Sequence, residues 1–286
     1  MPDIYRYDSF MIKVWRPPHV AFAANLLVKK LIALGEDAKI VSAINPSDTC
    51  LYIIYNAASA KHLPVNYIVY QTEVAGSKWF SKKYAATLQR ALAVWEYDPD
   101  NVKAYQHLNA NVSIVTPGYE LQVSNNIKTI PVLFYGYLKK SQIRSDMLAS
   151  LQKQTDIKIV DNELTTGMWE TLSQSAIVLN IHYYKNAPLE TFRINEALSF
   201  GCKVISQASP TIPDKYRDVV RFADTAEDIL NVLNEPEPAI VAMPVYDQLR
   251  NDHEIEQAMA KPLDFKKPKM NLLKQLFSGK LSRVNA

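Results

Sequence analysis

Glu190, Arg193 and Glu196 fall within one short stretch, LETFRINEALSFGCKVIS, running from Leu189 to Ser206. Their spacing of i, i+3, i+6 sets them on one broad face if the stretch is helical. The strand-like run IVLNIHYY (177–184) precedes them and KVISQ (203–207) follows. In open α/β sheets, ligands sit beyond the carboxyl ends of strands, where helix N-termini offer free N–H groups and a positive dipole. Diphosphate oxygens suit such groups, which places Thr191, at the amino end of this helix, on such a bridge. Arg193 is placed to meet a phosphate or to pair with either glutamate, and the Glu196 carboxylate to accept hydrogen bonds from ribose hydroxyls. The competing structural readings are an exposed glutamate at 196, a weak local ion pair at 193 and a dipole-favoured acid at 190.

Three further residues have chemistry in reach. His19, in RPPHVAF, lies at the first strand-to-helix turn, where an acceptor-binding or catalytic group is expected. Glu73, in VYQTEV, ends a strand and serves either as general base for an incoming hydroxyl or as a turn cap. His182 ends an otherwise apolar strand and reads either as a site group or as a satisfied core histidine. Asp98 and Asp100 form Asp-Pro-Asp directly after a strand. Such a pair can hold a divalent metal on a diphosphate, as in a single-domain metal-dependent enzyme, but it is also a good helix start. The chain has no G-x-G-x-x-G, P-loop, G-x-S-x-G elbow or His/Cys cluster, so no metal and no cofactor is expected.

The elements that must position these groups alternate in type. In the first half 10–15, 38–42, 50–56, 66–73, 91–97 and 111–116 read as strands, with helices at 19–35, 77–91 and 98–109. The segment 116–131 loses periodicity around Pro117 and Gly118 and reads as a linker. Strands at 132–137, 157–161, 177–184, 203–207 and 219–224 then alternate with helices at 141–154, 166–175, 190–200 and 225–234. Such alternation argues for two α/β domains with parallel sheets, 1–120 and 121–240, facing each other across a cleft. Residues 241–286 form an extension.

With 286 residues, 48% hydrophobic and 21% charged, the chain is long enough for two globular cores. A net charge of +3 argues against a nucleic-acid partner. Cys50 and Cys202 lie far apart and read as buried free thiols of a reducing compartment. No secretory signal or membrane-spanning run is visible, so a cytoplasmic protein is expected. The lysine-rich end PLDFKKPKMNLLKQLFSGKLSRVNA repeats apolar residues at helical spacing. It is either a solvated helix or a basic amphipathic segment resting on the inner membrane surface.

NEALSFGCKVIS, preceded by LNIHYY and E-x-x-R-I-x-E-A-L, resembles the signature of the nucleotide-sugar glycosyltransferases of the GT-B fold, group-1 class. It is closer still to their CgeB-like branch. VNYIVYQTE (65–73), AVWEYDPDN (93–101), TPGYE (116–120) and VLFYGYLKKSQIR (132–144) follow in the order of that branch, so the resemblance covers about residues 10 to 235. It implies two Rossmann-like domains and metal-independent, retaining transfer of a sugar from a nucleoside diphosphate donor to a hydroxyl of a glycan or lipid-linked acceptor, as in polysaccharide biosynthesis. Glu196 matches the second glutamate of the E-x7-E motif, which holds the donor's ribose. Pro188 stands where the first would be, and Glu190 is displaced by two positions. The turn after VLFYGY matches the place of a basic residue on the diphosphate. Lys139, Lys140 and Arg144 are the candidates, and a forked donor set favours Arg144. A binding module that kept the fold and lost the chemistry is the second reading.

Overall fold

The protein is described by a computed structural model over residues 11–122, 126–161, 167–235 and 247–265. Two fully parallel sheets form its frame. The first is ordered β2-β1-β3-β4-β5-β6, with β1 Ile12–Trp15, β2 Ala38–Val41, β3 Leu51–Tyr55, β4 Asn66–Gln71, β5 Ala93–Glu96 and β6 Val112–Ile114. The second is ordered β11-β10-β9-β7-β8, with β7 Ile130–Gly136, β8 Lys158–Asp161, β9 Ser175–Asn180, β10 Lys203–Ser206 and β11 Val220–Phe222. In both, the second strand lies on one side of the first and the third on the other. Each sheet therefore has a topological switch point beside its first strand, where open α/β sheets bind ligands. The runs LYIIY and NYIVYQ are buried on both faces because helices cover both sides.

The connecting helices are α1 Ala21–Ala33, α2 Lys82–Arg90, α3 Pro99–Val102, α4 Gln142–Leu151, α5 Gly167–Ser173, α6 Thr191–Ser199 and α7 Ala226–Asn234. Three expected elements are shorter than their apolar pattern. The helix expected from 77 starts at Lys82 because the Ser81 side chain accepts the Tyr84 amide. The helix expected over 98–109 shrinks to α3, capped by Asp98, and continues as turns. The strand expected over 177–184 stops at Asn180, which leaves His182 to Tyr184 in the following loop.

One further helix, α8 Asp252–Met259, has no counterpart in the expected pattern. It follows the second sheet in sequence yet buries Ile255 and Ala258 in the core of the first. The adjoining Asn251 donates to the Thr116 carbonyl at 2.5 Å, and Glu254 accepts both the amide and the hydroxyl of Thr116. Cys202 is buried as expected, whereas Cys50 is only half-buried; both are free. Among the described residues no helix is long and apolar enough to cross a membrane. The basic stretch beyond Phe265 lies outside the described residues.

Candidate functional site

The carboxyl ends of both sheets open onto one cavity of about 570 Å³. The first sheet contributes His19, Asn56, Thr72 and Glu73, and the second Gly136, Tyr137, Arg144 and the start of α6. Three non-glycine residues have positive φ among the described residues: Asn56 at 47°, Lys140 at 68° and Asn186 at 54°. Asn56 and Lys140 line the cavity and Asn186 directly precedes its Ala187 wall. Such strained backbone concentrates where the surroundings over-determine it, as at binding sites.

On the C-terminal wall, Glu190 is the N-cap residue of α6, and its carboxylate does not cap the helix. It turns instead between two guanidinium groups. Arg193 Nη1 lies 2.6 Å from it and Arg144 Nη2 3.0 Å. Arg144 is 3% exposed, and its other donors reach the carbonyls of Ile181 at 2.8 Å and Tyr137 at 3.0 Å. Arg193 Nη1 also donates to Asn180 Oδ1 at 2.8 Å. Gly136 lets the two arginines approach. It has φ +147°, and a Cβ there would sit 3.0 Å from Arg193 Nη2 and 3.2 Å from Arg144 Nη1. Burial alone would raise the Glu190 carboxyl, but the charges of Arg193 and Arg144 outweigh it and hold the group below its ordinary value. Burial and the neighbouring Arg193 bring Arg144 down to about 10, still charged at neutral pH.

Glu196 lies one turn beyond Arg193 on the same wall. Its two oxygens accept from Trp169 Nε1 and the Tyr135 hydroxyl, each at 3.0 Å. Burial raises its carboxyl, opposed by these two donors and by Arg193.

The N-terminal wall is built differently. Burial, and after it the charge of Arg193, lowers His19 and favours the neutral ring. Burial raises Glu73 against a hydrogen bond from the Asn56 side chain. The backbone of Glu73 is held from behind. Gln71 Oε1 accepts its amide, and Gln71 Nε2 and Asn101 Nδ2 both donate to its carbonyl. Asn101 in turn donates to Glu96, which also accepts from the Tyr97 and Asp98 amides and the Tyr105 hydroxyl. Glu96 is fully buried, and desolvation pushes its carboxyl up to about 8.

Of the ten residues that the sequence marked as catalytic or donor-binding candidates, His19, Glu73, Lys140, Arg144, Glu190, Arg193 and Glu196 line the cavity. The other three do not. His182 is buried behind the wall with its Nε2 unpartnered. Lys139 is exposed, and its carbonyl accepts from the Tyr183 hydroxyl. Thr191 is buried, and its amide already donates to the Leu189 carbonyl at 2.7 Å. The first amide of α6 is therefore engaged within the protein and does not face the cavity, contrary to the expectation from the sequence.

The two-sheet fold differs from the single-domain fold of the metal-dependent alternative, and Asp98 and Asp100 are both engaged locally. Asp98 accepts the amides of Asp100 and Asn101 at 2.7 and 3.0 Å. Asp100 points away to pair with Lys103 and to accept the Thr211 hydroxyl. Among the described residues, no group of three His, Cys, Asp or Glu side chains is arranged to hold a metal.

Trp169, Tyr135, Gln71, Asn101 and Glu96 are the site and support residues that sequence reasoning missed. A lone glutamate within the apolar strand AVWE is the one local signal that marks any of them; the others acquire their partners only through contacts between distant segments.

No protein-family model and no curated protein matches the chain. Solved structures do. An alpha-glucosyltransferase in complex with UDP-glucose and DNA containing an abasic site aligns at a TM-score of 0.51 and 11% identity, over 96% of this chain and 100% of that one. An alpha1,3-fucosyltransferase aligns at 0.46 and 12% identity, covering 95% and 90%. TarM aligns at 0.42 and 9% identity over 91% of this chain, which spans 58% of TarM's length. The fold is that of the GT-B glycosyltransferases, two Rossmann-like domains that share one cleft.

Proposed function

We propose that the protein is a glycosyltransferase that moves a sugar from a nucleoside diphosphate donor to a hydroxyl of a glycan or lipid-linked acceptor. The observation that carries this reading is the meeting of Glu190, Arg193 and Glu196 with Arg144 at the switch point of the second sheet. Glu73 and His19 face them across the same cavity. In this reading the Glu196 carboxylate receives the ribose hydroxyls, and Arg193 with Lys140 receives the diphosphate. Arg144 has its donors engaged on Glu190 and two carbonyls, so it holds the site in shape and adds positive potential. On the opposite wall Glu73, whose carboxyl is raised by burial, accepts the hydrogen bond of the acceptor hydroxyl. The reaction then rests on positioning and on stabilisation of the departing diphosphate by the guanidinium groups, without metal or cofactor. Retention of anomeric configuration, which the resemblance implies, is read from the product by NMR.

Thermal melts against UDP-, GDP-, dTDP-, ADP- and CMP-linked sugars test the reading first. A true donor at 100 times its dissociation constant adds about 2.7 kcal/mol of stability. Glu196→Ala is expected to lose that shift and to stop release of nucleoside diphosphate. Wild-type donor affinity and turnover in this variant sink the assignment. One feature favours a non-catalytic binder instead: Glu190 is wholly engaged by the two arginines. Release of nucleoside diphosphate by the wild-type protein removes that second reading.

A further inference from the structure

Glu196 sits midway along a ridge of α6 and its end formed by Phe192, Glu196 and Phe200, four residues apart. Both aromatic members of the ridge touch the opposite domain. Phe192 stands edge-on to Tyr55, Tyr70 and Tyr97 at 6.3, 5.7 and 5.5 Å between ring centroids. Phe200 lies 5.5 Å from Phe22 of α1. Trp169 of α5 completes the contact. Its ring stacks on Phe200 at 6.4 Å and meets Phe22 edge-on at 6.2 Å, while its Nε1 donates to Glu196. Neither Trp169 nor Phe22 lines the cavity.

We infer that Trp169 is a positioning residue for Glu196 and that Phe22, reaching over from the N-terminal domain, holds the indole in place. A carboxylate offers about four lone-pair directions. Trp169 takes one on one oxygen and Tyr135 one on the other, which fixes the carboxylate plane and leaves the remaining directions for the hydroxyls of a ligand. The indole N–H is useful only while the ring is held at the correct tilt, and two phenylalanines from different domains set that tilt. The orientation of the C-terminal half of the site thus depends on a side chain of the N-terminal half. This rests on the reading of Glu196 as a donor-binding group.

The test measures binding of UDP, GDP, dTDP and ADP by calorimetry between pH 5 and 9. It uses the wild type, Trp169→Phe, Phe22→Ala and Phe22→Leu. Trp169→Phe keeps the aromatic packing and removes the N–H. It is expected to weaken the nucleotide that binds wild type about tenfold, a change of about 1.4 kcal/mol. It is also expected to move the pH midpoint of binding upward, because the ionised carboxylate loses a donor. The other groups around Glu196 are Arg193 on α6, Tyr135 on β7, Cys202 after α6 and His19 on the facing wall, and all are unchanged in these variants. Phe22→Ala is expected to act in the same direction by about threefold, and Phe22→Leu, which refills the space, to restore most of the loss. Wild-type affinity and midpoint in Trp169→Phe overturn the inference. A full effect there with none in Phe22→Ala overturns the contribution from across the interface. Absence of binding to the wild type is a separate result, seen before any variant is compared, and it removes the function reading together with this one.

Discussion

The C-terminal wall of the cavity sets Glu190 between two guanidinium groups, whereas on the N-terminal wall burial lowers His19 and raises Glu73 with no opposite charge beside them among the described residues. Two buried carboxylates show why. Glu190 lies between two guanidinium groups, and their charges overcome its desolvation and lower its carboxyl. Glu96 receives four hydrogen bonds, from two backbone amides, Asn101 and Tyr105, and desolvation still raises it to about 8. Neutral donors, even four of them, do not replace an opposite charge in a low-dielectric site. A wall of paired charges suits a charged ligand such as a diphosphate.

The contrast breaks most severely if Glu190 is removed. Glu190→Ala leaves Arg144 buried without its counter-charge. Loss of one member of a buried pair costs 3–5 kcal/mol; about 3 kcal/mol is expected here, because the Glu190 side chain is 25% exposed. Urea denaturation reads the change. Arg144→Lys keeps the charge and loses the fork that reaches Glu190, Ile181 and Tyr137 at once. About 2 kcal/mol is expected in the same measurement. Gly136→Ala presses a methyl group onto both guanidinium groups at a φ that disfavours side chains. A loss of about 1–2 kcal/mol is expected, with weaker nucleotide binding in a thermal-shift assay.

The pH dependence sharpens the same comparison, because the two carboxylates act with opposite sign. The folded value of Glu96 lies above its unfolded value. Its contribution is therefore fully present below the usual glutamate range and is lost as pH rises toward about 8. Glu190 is depressed, so its contribution is present above the usual range and is lost as pH falls through the lowered value. Glu96→Gln is expected to flatten the decline in melting temperature between pH 5 and 8 while leaving the acid limb intact. An unchanged alkaline decline contradicts the assignment. The smallest effect is expected from Asp100→Ala, in a residue that faces away from the cavity. Nucleotide binding should stay at the wild-type level, and turnover should survive EDTA.

Much of this was legible in the residues. The strand and helix alternation needs only local periodicity, and all eleven strands lie close to where the pattern places them. The 190–196 spacing put three groups on one wall. What stayed hidden is of longer range. Arg144 was favoured as a direct phosphate ligand, yet its fork closes on Glu190 and on carbonyls 7 and 37 residues away. Trp169 gave no signal, because an indole N–H takes its meaning from the carboxylate that it meets.

By itself, the sequence determined the two parallel sheets, their order along the chain and the helix that carries Glu190, Arg193 and Glu196, because periodicity and turn residues act over a few positions. Only the tertiary structure decided which arginine shares Glu190, which rings cross between the domains and that α8 returns to the first core. Those contacts join segments far apart in the chain, and their energies depend on burial and on opposite charge, neither of which a residue's immediate neighbours reveal.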